Sequence, residues 1–573
     1  MIDSGASPAL AIAVAFCFAV VALDASAQEQ TWIRQTGTGA ADAAQALCPD
    51  GAGGVFVGGS TQGSLGGGNA GNWDAWLARY DDSGNQTWIR QLGTSAIDHV
   101  SSLATDGAGG VFIAGSTQGS LGGGNAGNYD PWLAHYDGSG NQTWIRQFGI
   151  EGRDEVSALA PDGAGGVYIG GTTGGALGGG WAGSIDSWLA RYDASGNRTW
   201  IRQIGTSGVD AAYGLASNGA AGVYFAGWTS GSLGGANAGV RDAWLARYDA
   251  SGNQSWIRQF GTSTNDDTSA LTPDGAGGAF IGGHTQGSLG GGSAGDWDAW
   301  LARYDASGNQ SWIRQFGTAT TDFAYALCPD GAGGVFYCGK TFGDFSGGNA
   351  GSYDTWLAAY DSSGNQTWIT QFGTTTYEEA RALASDDAGG AFIAGFTAGS
   401  LGGPNAGGDD AWLALYAGGG IGTPARVANF TVQTGAHISG NTADLRESDN
   451  ERLKVDAEFI EGGNPPYLMI LEVKLKSQVI DPTDLHVLVE GKLSQNGGTA
   501  KLYLRNWAQG GWTRIATDPI GKTEMIQKVG GLDPAKYINA SGVMKLRIRH
   551  QKTTSSNGDP FRSLIDHVQA LVR

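Results

Sequence analysis

The sequence predicts an all-β protein in which a seven-bladed β-propeller is followed by a β-sandwich. Two series of tryptophans predict the propeller, each with seven members and a constant step of 56 residues. The first series is Trp32, Trp88, Trp144, Trp200, Trp256, Trp312 and Trp368. The second is Trp76, Trp132, Trp188, Trp244, Trp300, Trp356 and Trp412. A fixed period of this length without insertions indicates identical supersecondary units that bury their faces against one another.

Each repeat contains four short segments with the pattern of β-strands. In the copy that begins at Asp42, AAQALCPD and VFVGGST flank a DGAGG turn whose glycines permit positive φ. The glycine-rich loop QGSLGGGNAGNW leads to DAWLARYD, whose side chains alternate between two faces. A DSGN turn then precedes QTWIRQLG. Four short strands, two tight hairpins and two longer loops describe one propeller blade.

The two ends of the repeat region predict how the ring closes. The N-terminal TWIRQTG has no blade of its own, and the seventh blade, which ends at Tyr416, has no fourth strand. We therefore expect the N-terminal strand to complete the last blade. This arrangement pairs the two chain ends and removes exposed strand edges.

The repeats resemble the bacterial seven-bladed propeller repeat abbreviated SBBP and, less closely, NHL repeats. The resemblance extends from residue 31 to about residue 416 and rests on D-G-x-G-G, G-G-x-T, D-A-W-L-A-x-Y-D and S-G-N-x-x-W. It implies the propeller fold. It implies little about activity, because such repeats resemble scaffolds that serve many functions.

Residues 1–27 have the pattern of a cleaved signal peptide. A sixteen-residue apolar run from residue 8 to residue 23 is followed by Ala25, Ser26 and Ala27. An uncleaved anchor is the alternative. We assign residues 28–417 to the propeller, 418–424 to a linker and 425–573 to the β-sandwich, and we expect a secreted protein, periplasmic or at the cell surface, without a stable membrane span after cleavage.

The β-sandwich is predicted from about eight alternating segments separated by Gly, Asn, Asp and Pro turns. The segments LYLRNWAQGGWTRI, KLRIRH and SLIDHVQALV are similar to the closing strands of galactose-binding-like accessory domains. This similarity implies a jelly-roll-like accessory domain. Stacking of Trp507 and Trp512 on a sugar and packing of these side chains within a hairpin both remain open.

Charge and cysteine content restrict the partners and the covalent chemistry. The formal net charge of −20 is carried by the repeats, so nucleic acid is not an expected partner. We expect a monomer that binds a glycan or a protein. Cys48, Cys328 and Cys338 are expected to be small buried side chains without a disulfide.

Two sets of acidic residues recur on the face where the glycine-rich loops emerge. The first acidic ring is Asp42, Asp98, Asp154, Asp210, Asp266, Asp322 and Glu378. The second acidic ring is Asp74, Asp130, Asp186, Asp242, Asp298, Asp354 and Asp410. Sevenfold carboxylates near a channel could bind calcium, which prefers oxygen ligands. The alternative, favoured by their presence in every copy, is that each carboxylate caps local backbone N–H groups.

Residues that differ between copies are better candidates for ligand binding, because fold requirements are shared by all copies. On the loop face, Trp181 replaces an asparagine, and Trp228 and His284 replace small residues. The sixth copy adds Lys340, Phe342, Asp344 and Phe345. Exposed aromatic rings beside acids and amides suit sugar stacking or peptide contacts, whereas free variation of loops is the alternative.

Catalytic motifs are scarce. No two histidines stand at metal-ligand spacing, and neither a nucleophile elbow nor H-E-x-x-H occurs. The sequence therefore favours a non-enzymatic binding or scaffold protein at the cell envelope, with no cofactor other than the calcium considered above. A glycan-degrading enzyme with the propeller as its catalytic body is the second hypothesis, and a purely structural envelope protein is the third.

Overall fold

The computed structural model describes residues 30–416, except 220–221, 346–347 and 387, together with the backbone of strand segments between residues 423 and 573. Residues 30–416 form seven four-stranded antiparallel sheets, which are the blades of a propeller. The predicted seven-bladed, all-β fold is therefore confirmed for this part of the chain. Blades are numbered here from Asp42, and strands are named innermost, second, third and outermost.

Four sets of strands build the ring. The innermost strands are Asp42–Pro49, Asp98–Thr105, Asp154–Pro161, Asp210–Ser217, Asp266–Pro273, Asp322–Pro329 and Glu378–Ser385. The second strands are Val55–Thr61, Val111–Thr117, Val167–Thr173, Gly222–Thr229, Ala279–Thr285, Val335–Thr341 and Ala391–Thr397. The third strands are Asp74–Tyr80, Asp130–Tyr136, Asp186–Tyr192, Asp242–Asp249, Asp298–Tyr304, Asp354–Tyr360 and Asp410–Tyr416. The outermost strands are Gln86–Leu92, Gln142–Gln147, Arg198–Ile204, Gln254–Phe260, Gln310–Phe316, Gln366–Phe372 and, in blade seven, Gln30–Thr36.

The ring closes through the N-terminal strand, as predicted. Gln30–Thr36 pairs antiparallel with Asp410–Tyr416, and Gln35 stands opposite Trp412. The Gln35 side chain also donates a hydrogen bond of 2.8 Å to Asp410, as Gln91 does to Asp74 within blade one. The two chain segments thus reproduce the contacts that a single segment makes in the other blades. Each innermost strand contacts its counterparts in both neighbouring blades, including those of blades one and seven.

Repeated tryptophans fill the spaces between blades. The third-strand tryptophans are almost completely buried, and Trp244 has no exposed surface. The outermost-strand tryptophans instead reach the next blade: Trp88 Nε1 donates to Gly138 O at 3.1 Å, and its ring lies against Gly140. Gly140 has a φ of 78° and any Cβ there would meet the indole, so glycine is required at this turn. Burial of these large side chains stabilises the ring.

Of the remaining predictions on the fold, the one about the cysteines is confirmed. Cys48, Cys328 and Cys338 are buried and free, as predicted. The signal peptide and residues 418–422 of the predicted linker lie outside the described residues, and the last two predicted linker residues belong to the strand Thr423–Thr434. No helix among the described residues is long and apolar enough to cross a membrane.

The C-terminal region is described only as strand segments. They are Thr423–Thr434, Ala436–Ser439, Leu453–Asp456, Glu458–Phe459, Tyr467–Lys476, Leu485–Leu493, Gly498–Asn506, Gly511–Ile520, Met525–Leu532, Val543–Lys552 and Arg562–Val572. The side chains and the connections of this region, and with them the predicted sandwich packing, lie outside the described residues.

Candidate functional site

The first rung of every blade consists of an acid on the innermost strand and a threonine on the second strand. In blade one, Asp42 has no exposed surface and accepts hydrogen bonds from the Thr61 hydroxyl and, at 2.5 Å, from the Thr38 backbone N–H. The other six acids of the first acidic ring are equally buried. Their oxygens bond to donors of their own loop and blade, which supports the capping interpretation.

The second acidic ring is buried in the same way. Asp74 Oδ2 accepts from Ala70 N and Gln91 Nε2, both at 2.8 Å. Its Oδ1 lies against Gly93, where an added Cβ would come within 2.2 Å of this oxygen. The close approach occupies the space beside the carboxylate. Among the described residues, no group of three or more His, Cys, Asp or Glu side chains is arranged to hold a metal ion.

Burial also affects the titration of the first ring. The pKa values of three of its members are raised, and loss of solvation is the main cause. Hydrogen bonds from threonine and loop N–H groups oppose the shift. These residues are Asp154, Asp266 and Asp322.

The second rung, one residue further along each innermost strand, differs in every blade. Its seven pairs are Ala43–Ser60, His99–Ser116, Glu155–Thr172, Ala211–Trp228, Asp267–His284, Phe323–Lys340 and Glu379–Phe396. A glycine precedes the second-strand member in each blade; at Gly59 a Cβ would lie 1.9 Å from the Ala43 carbonyl oxygen. The fold thus fixes the residues on both sides and leaves the second rung variable. We call this rung, with the side chains that contact it, the channel mouth.

The second-strand residue of one blade lies against the innermost strand of the next blade at the channel mouth. Ser60 Oγ is 3.4 Å from His99 Nδ1, between blades one and two. The His284 ring meets the Phe323 ring edge-on at a centroid distance of 4.8 Å, between blades five and six. At these two boundaries the variable residues of successive blades are therefore in contact.

Lys340 is the centre of the contacts between blades six and seven. It is the only lysine in residues 30–416. Its ammonium group donates to Tyr377 Oη at 2.6 Å and to Glu379 Oε2 at 2.7 Å. It also lies 4.9–5.5 Å from the centroids of four aromatic rings, those of Phe323, Tyr325, Tyr353 and Tyr377. Glu379 has no exposed surface, so this is a buried, hydrogen-bonded ion pair within an aromatic cage.

Arg241 and Asp267 connect blades four and five. The Arg241 guanidinium lies 4.3 Å from the Trp228 ring centroid and 3.1 Å from Asp267 Oδ2. Burial raises the pKa of Asp267, and the charge of Arg241 opposes this rise. His284 stands 3.8 Å from the same carboxylate, and burial lowers its pKa to about 4. Its imidazole is therefore neutral at pH 7.

Three arginines share one arrangement at the channel mouth. Arg153, Arg241 and Arg381 pair with Glu155, Asp267 and Glu379, which occupy one equivalent position in blades three, five and seven. The arginine side chains are 61%, 40% and 45% exposed, whereas the carboxylate side chains are 32%, 12% and 0% exposed. The positive groups therefore face the solvent and the negative groups lie beneath them.

The predicted ligand-binding residues fall into two groups. Trp228 and His284 belong to the channel mouth, although they lie on second strands. Phe342 is 49% exposed and packs edge-on against Tyr353, which also contacts Lys340.

The other predicted residues lie apart from the channel mouth. Phe345 packs on the core of blade six, where it meets Trp356. Asp344 accepts a hydrogen bond from Gly348 N in its own loop. Trp181 is 54% exposed on the loop of blade three. The structure thus does not bring these three side chains into the network around Lys340.

Sequence reasoning missed Arg153, Arg241, Asp267, Glu379 and Arg381. A signal was available, because the position after the first acidic ring holds five different residue types in the seven copies. The arginines come from three different repeat positions. No single position, compared across the seven copies, therefore shows that these arginines lie together.

The fold defines the protein as a seven-bladed β-propeller, and a sequence comparison agrees. The family model described as the beta-propeller repeat, SBBP, matches residues 87–122 and 143–179. A curated relative, the regulatory protein FlaEY of Caulobacter vibrioides, is 27% identical over 175 residues. The match covers 26% of this chain and 18% of FlaEY, so the chain spans less than a fifth of that relative.

Solved structures with a likeness to this chain include carbohydrate-active proteins. The exo-beta-1,3-galactanase of Phanerochaete chrysosporium with galactose is 11% identical, and the match covers 71% of this chain and 93% of that chain with a TM-score of 0.25. TmCBM61 in complex with beta-1,4-galactotriose is 7% identical, and the match covers 26% and 92% with a TM-score of 0.18. At these TM-scores the likeness supports no conclusion about what this chain binds.

Proposed function

We propose that this protein is an exported, non-enzymatic binding protein of the cell envelope, and that a glycan or protein ligand binds at the channel mouth. The main support for this proposal is a contrast between the two rungs. The first rung is an acid and a threonine in all seven blades, whereas the second rung is a different pair of residues in each blade. A structural requirement acts on every blade equally, so it does not account for a variable rung beside an invariant one.

Exposed aromatic groups at the channel mouth support this proposal. Tyr213, on the innermost strand of blade four beside Trp228, is 46% exposed, and Phe342, which packs on Tyr353 of the Lys340 cage, is 49% exposed. Large apolar side chains exposed beside charged groups are typical of ligand sites on soluble proteins. Flat aromatic faces stack on sugar rings, and aromatic and arginine side chains also anchor protein partners.

The proposal is tested with a glycan array and a peptide array probed with the full mature chain. The matched variant is Trp228→Ser with Phe342→Gln, because blades one and two carry serine and glutamine at these positions. We expect the variant to keep its thermal stability and to lose the bound ligand. The control, Trp181→Asn, restores the residue of blades one and two away from the channel mouth and should bind as the wild type does. Equal binding by all three proteins would contradict the proposal.

A glycan-degrading enzyme remains the second candidate, because of Asp267. A buried carboxyl group with a raised pKa at the channel mouth has the property of a general acid. Turnover of an array ligand, abolished in Asp267→Asn while binding persists, would favour the enzyme. Binding without product release would favour the binding protein.

A further inference from the structure

We infer that the ligand of the channel mouth is a carboxylated saccharide, whose acidic groups bind to Arg153, Arg241 and Arg381. This inference rests on the proposed function, since it names the ligand class for the same site. The distribution of cations, their orientation and the adjacent aromatic faces support it.

The cations of the propeller are not distributed evenly. Ten arginines recur at two repeat positions, Arg79, Arg191, Arg247 and Arg303 on third strands, and Arg34, Arg90, Arg146, Arg202, Arg258 and Arg314 on outermost strands. Residues 30–416 contain five further cations, Arg153, Arg198, Arg241, Lys340 and Arg381. Four of these five lie at the channel mouth. The non-repeating positive charges of residues 30–416 thus lie mainly at one end of the ring.

The recurring arginines serve the fold. Arg90 Nε donates to Gly140 O at 3.0 Å, and Arg79 forms an ion pair of 2.8 Å with Asp50. Arg241 is used differently, because its hydrogen bonds to Asp267 engage Nη1 and the side chain is 40% exposed. A guanidinium carries five N–H donors, so one carboxylate beneath it leaves an edge directed at the solvent. That edge matches a planar carboxylate in bidentate geometry.

The buried acids hold these cations in place. Glu379 lies fully buried between Lys340 and Arg381, and Asp267 lies beneath Arg241. Arg381 also lies 5.0 Å from the Tyr325 ring centroid, and Arg153 lies 5.1 Å from that of Tyr129. Guanidinium groups fixed on one side by a carboxylate and on another by an aromatic face lose little freedom when an anion binds. The four cations of the channel mouth outnumber its three carboxylates, and the buried acids of the first ring lie one residue away.

The aromatic faces distinguish a saccharide from an acidic peptide. Tyr213 exposes nearly half of its surface near Arg153 and Arg241, and Phe342 exposes as much beside Tyr353 of the Lys340 cage. The C–H face of a sugar ring stacks on such a surface, whereas aspartate and glutamate side chains offer no face of comparable area. A sugar ring that bears a carboxylate uses both features at once. Charge complementarity alone would serve an acidic peptide equally well.

Calorimetric titration of the full mature chain with three probes tests the inference. The probes are tetragalacturonate, its fully methyl-esterified form and tetraglutamate. We expect tetragalacturonate to bind at least about tenfold more tightly than the ester, since each charge-assisted contact is lost on esterification. We also expect its affinity to fall as NaCl is raised. Tetraglutamate should bind more weakly than tetragalacturonate because it lacks faces to stack.

Matched variants locate the effect. Arg241→Trp places the residue of blades one and five at this position, and Arg153→Ala removes a second cation. We expect each to weaken tetragalacturonate binding by about tenfold, the size of one charge-assisted contact. Arg198→Gln changes an exposed arginine at the opposite face to the residue of the other blades and should leave the affinity unchanged. Unfolding temperatures identify any variant that fails to fold. If one of the variants at Arg241 and Arg153 fails to fold, the binding measured with the other one provides the test.

Several outcomes would overturn the inference. Equal binding of acid and ester, or equal binding of tetraglutamate, would show that carboxylated sugar is the wrong class. Tetragalacturonate binding that survives both mouth variants would place its site elsewhere. If an array ligand is lost in Trp228→Ser with Phe342→Gln but none of the three probes binds, the ligand class is wrong and the proposed function stands.

Discussion

The first and second rungs of each blade lie one residue apart, yet they follow opposite rules. The first rung is an acid and a threonine in all seven blades, and the second is a different pair in every blade. The first-rung carboxylates are fully buried and bonded to their own loop and blade, so loss of a carboxylate there disturbs the sheet. Second-rung side chains meet those of the next blade around the channel. The comparison shows that the features repeated in every blade serve the fold, whereas positions that depart from the repeat are the places to look for a ligand site.

The largest predicted effect concerns the ring on which both rungs depend. Deletion of residues 31–37 removes the outermost strand of blade seven and leaves the Asp410–Tyr416 strand with an unpaired edge. We expect aggregation or a much lower unfolding temperature by calorimetry. A chain that starts at residue 28 and keeps this strand is the control. Unchanged unfolding of the deleted form would show that the ring does not need this strand.

Breaking the buried ion pair of the second rung should cost less than opening the ring. Glu379→Ala leaves the Lys340 ammonium buried without its carboxylate, so we expect a loss of about 3–5 kcal/mol in the free energy of unfolding. Urea denaturation measures this loss.

The neighbouring first-rung residue provides the control for this prediction. Glu378→Asp restores the acid of the other six blades and should change stability by no more than about 0.5 kcal/mol. Adding Lys340→Ser to Glu379→Ala should recover part of the lost stability, because the unpaired charge is removed. If Glu378→Asp and Glu379→Ala lowered the free energy of unfolding equally, the proposed difference between the two rungs would be wrong.

His284 predicts a pH dependence that belongs to the second rung. Its folded-state pKa of about 4 lies below the unfolded value of 6.5, so the unfolded chain binds the proton more readily. The stability contributed by neutral His284 is complete above pH 6.5 and is lost as the pH falls towards 4. This amounts to about 3 kcal/mol, as an order of magnitude. Between pH 7 and pH 4, the free energy of unfolding of His284→Ser should therefore fall by about 3 kcal/mol less than that of the wild type. An unchanged pH dependence would contradict the burial of a neutral imidazole.

The smallest effect is predicted at the outer edge of the ring, where the blades are alike. Arg258 donates to Gly308 O at 3.1 Å and Arg314 donates to Gly364 O at 3.1 Å. Arg258→Thr and Arg314→Thr introduce the residue found at Thr370, and each should cost about 1 kcal/mol in urea denaturation. The two losses should agree within about 0.5 kcal/mol, because the contacts are equivalent. Widely different losses in the free energy of unfolding would show that the contacts at the outer edge vary between blades as much as those at the channel mouth.

The repeats were sufficient to predict the fold of residues 30–416. A constant step of 56 residues fixed the blade number, and the unmatched strands at Trp32 and Tyr416 predicted the closure. The site was predicted only in part. Trp228 and His284 were identified as departures from the repeat, but so were Phe345, which packs on its own blade's core, and Asp344, which bonds within its own loop.

Two ion pairs of the candidate site depend on contacts between blades, which no single repeat contains. Arg241 reaches Asp267 across a blade boundary, and Lys340 reaches Glu379 in the same way. Each pair joins different columns of the repeat. The acids of these pairs also follow directly after acids of the first ring, so they looked like extensions of a structural motif.

Hydroxyl-radical footprinting of the ligand-bound protein tests the central claim most directly, because it reports the solvent exposure of individual side chains. With the ligand found on the arrays, the account predicts that Tyr213, Trp228 and Phe342 become protected, while Trp181 and the outermost-strand tryptophans keep their reactivity. Protection confined to Trp181, or to the opposite face of the ring, would contradict the assignment of the site to the channel mouth.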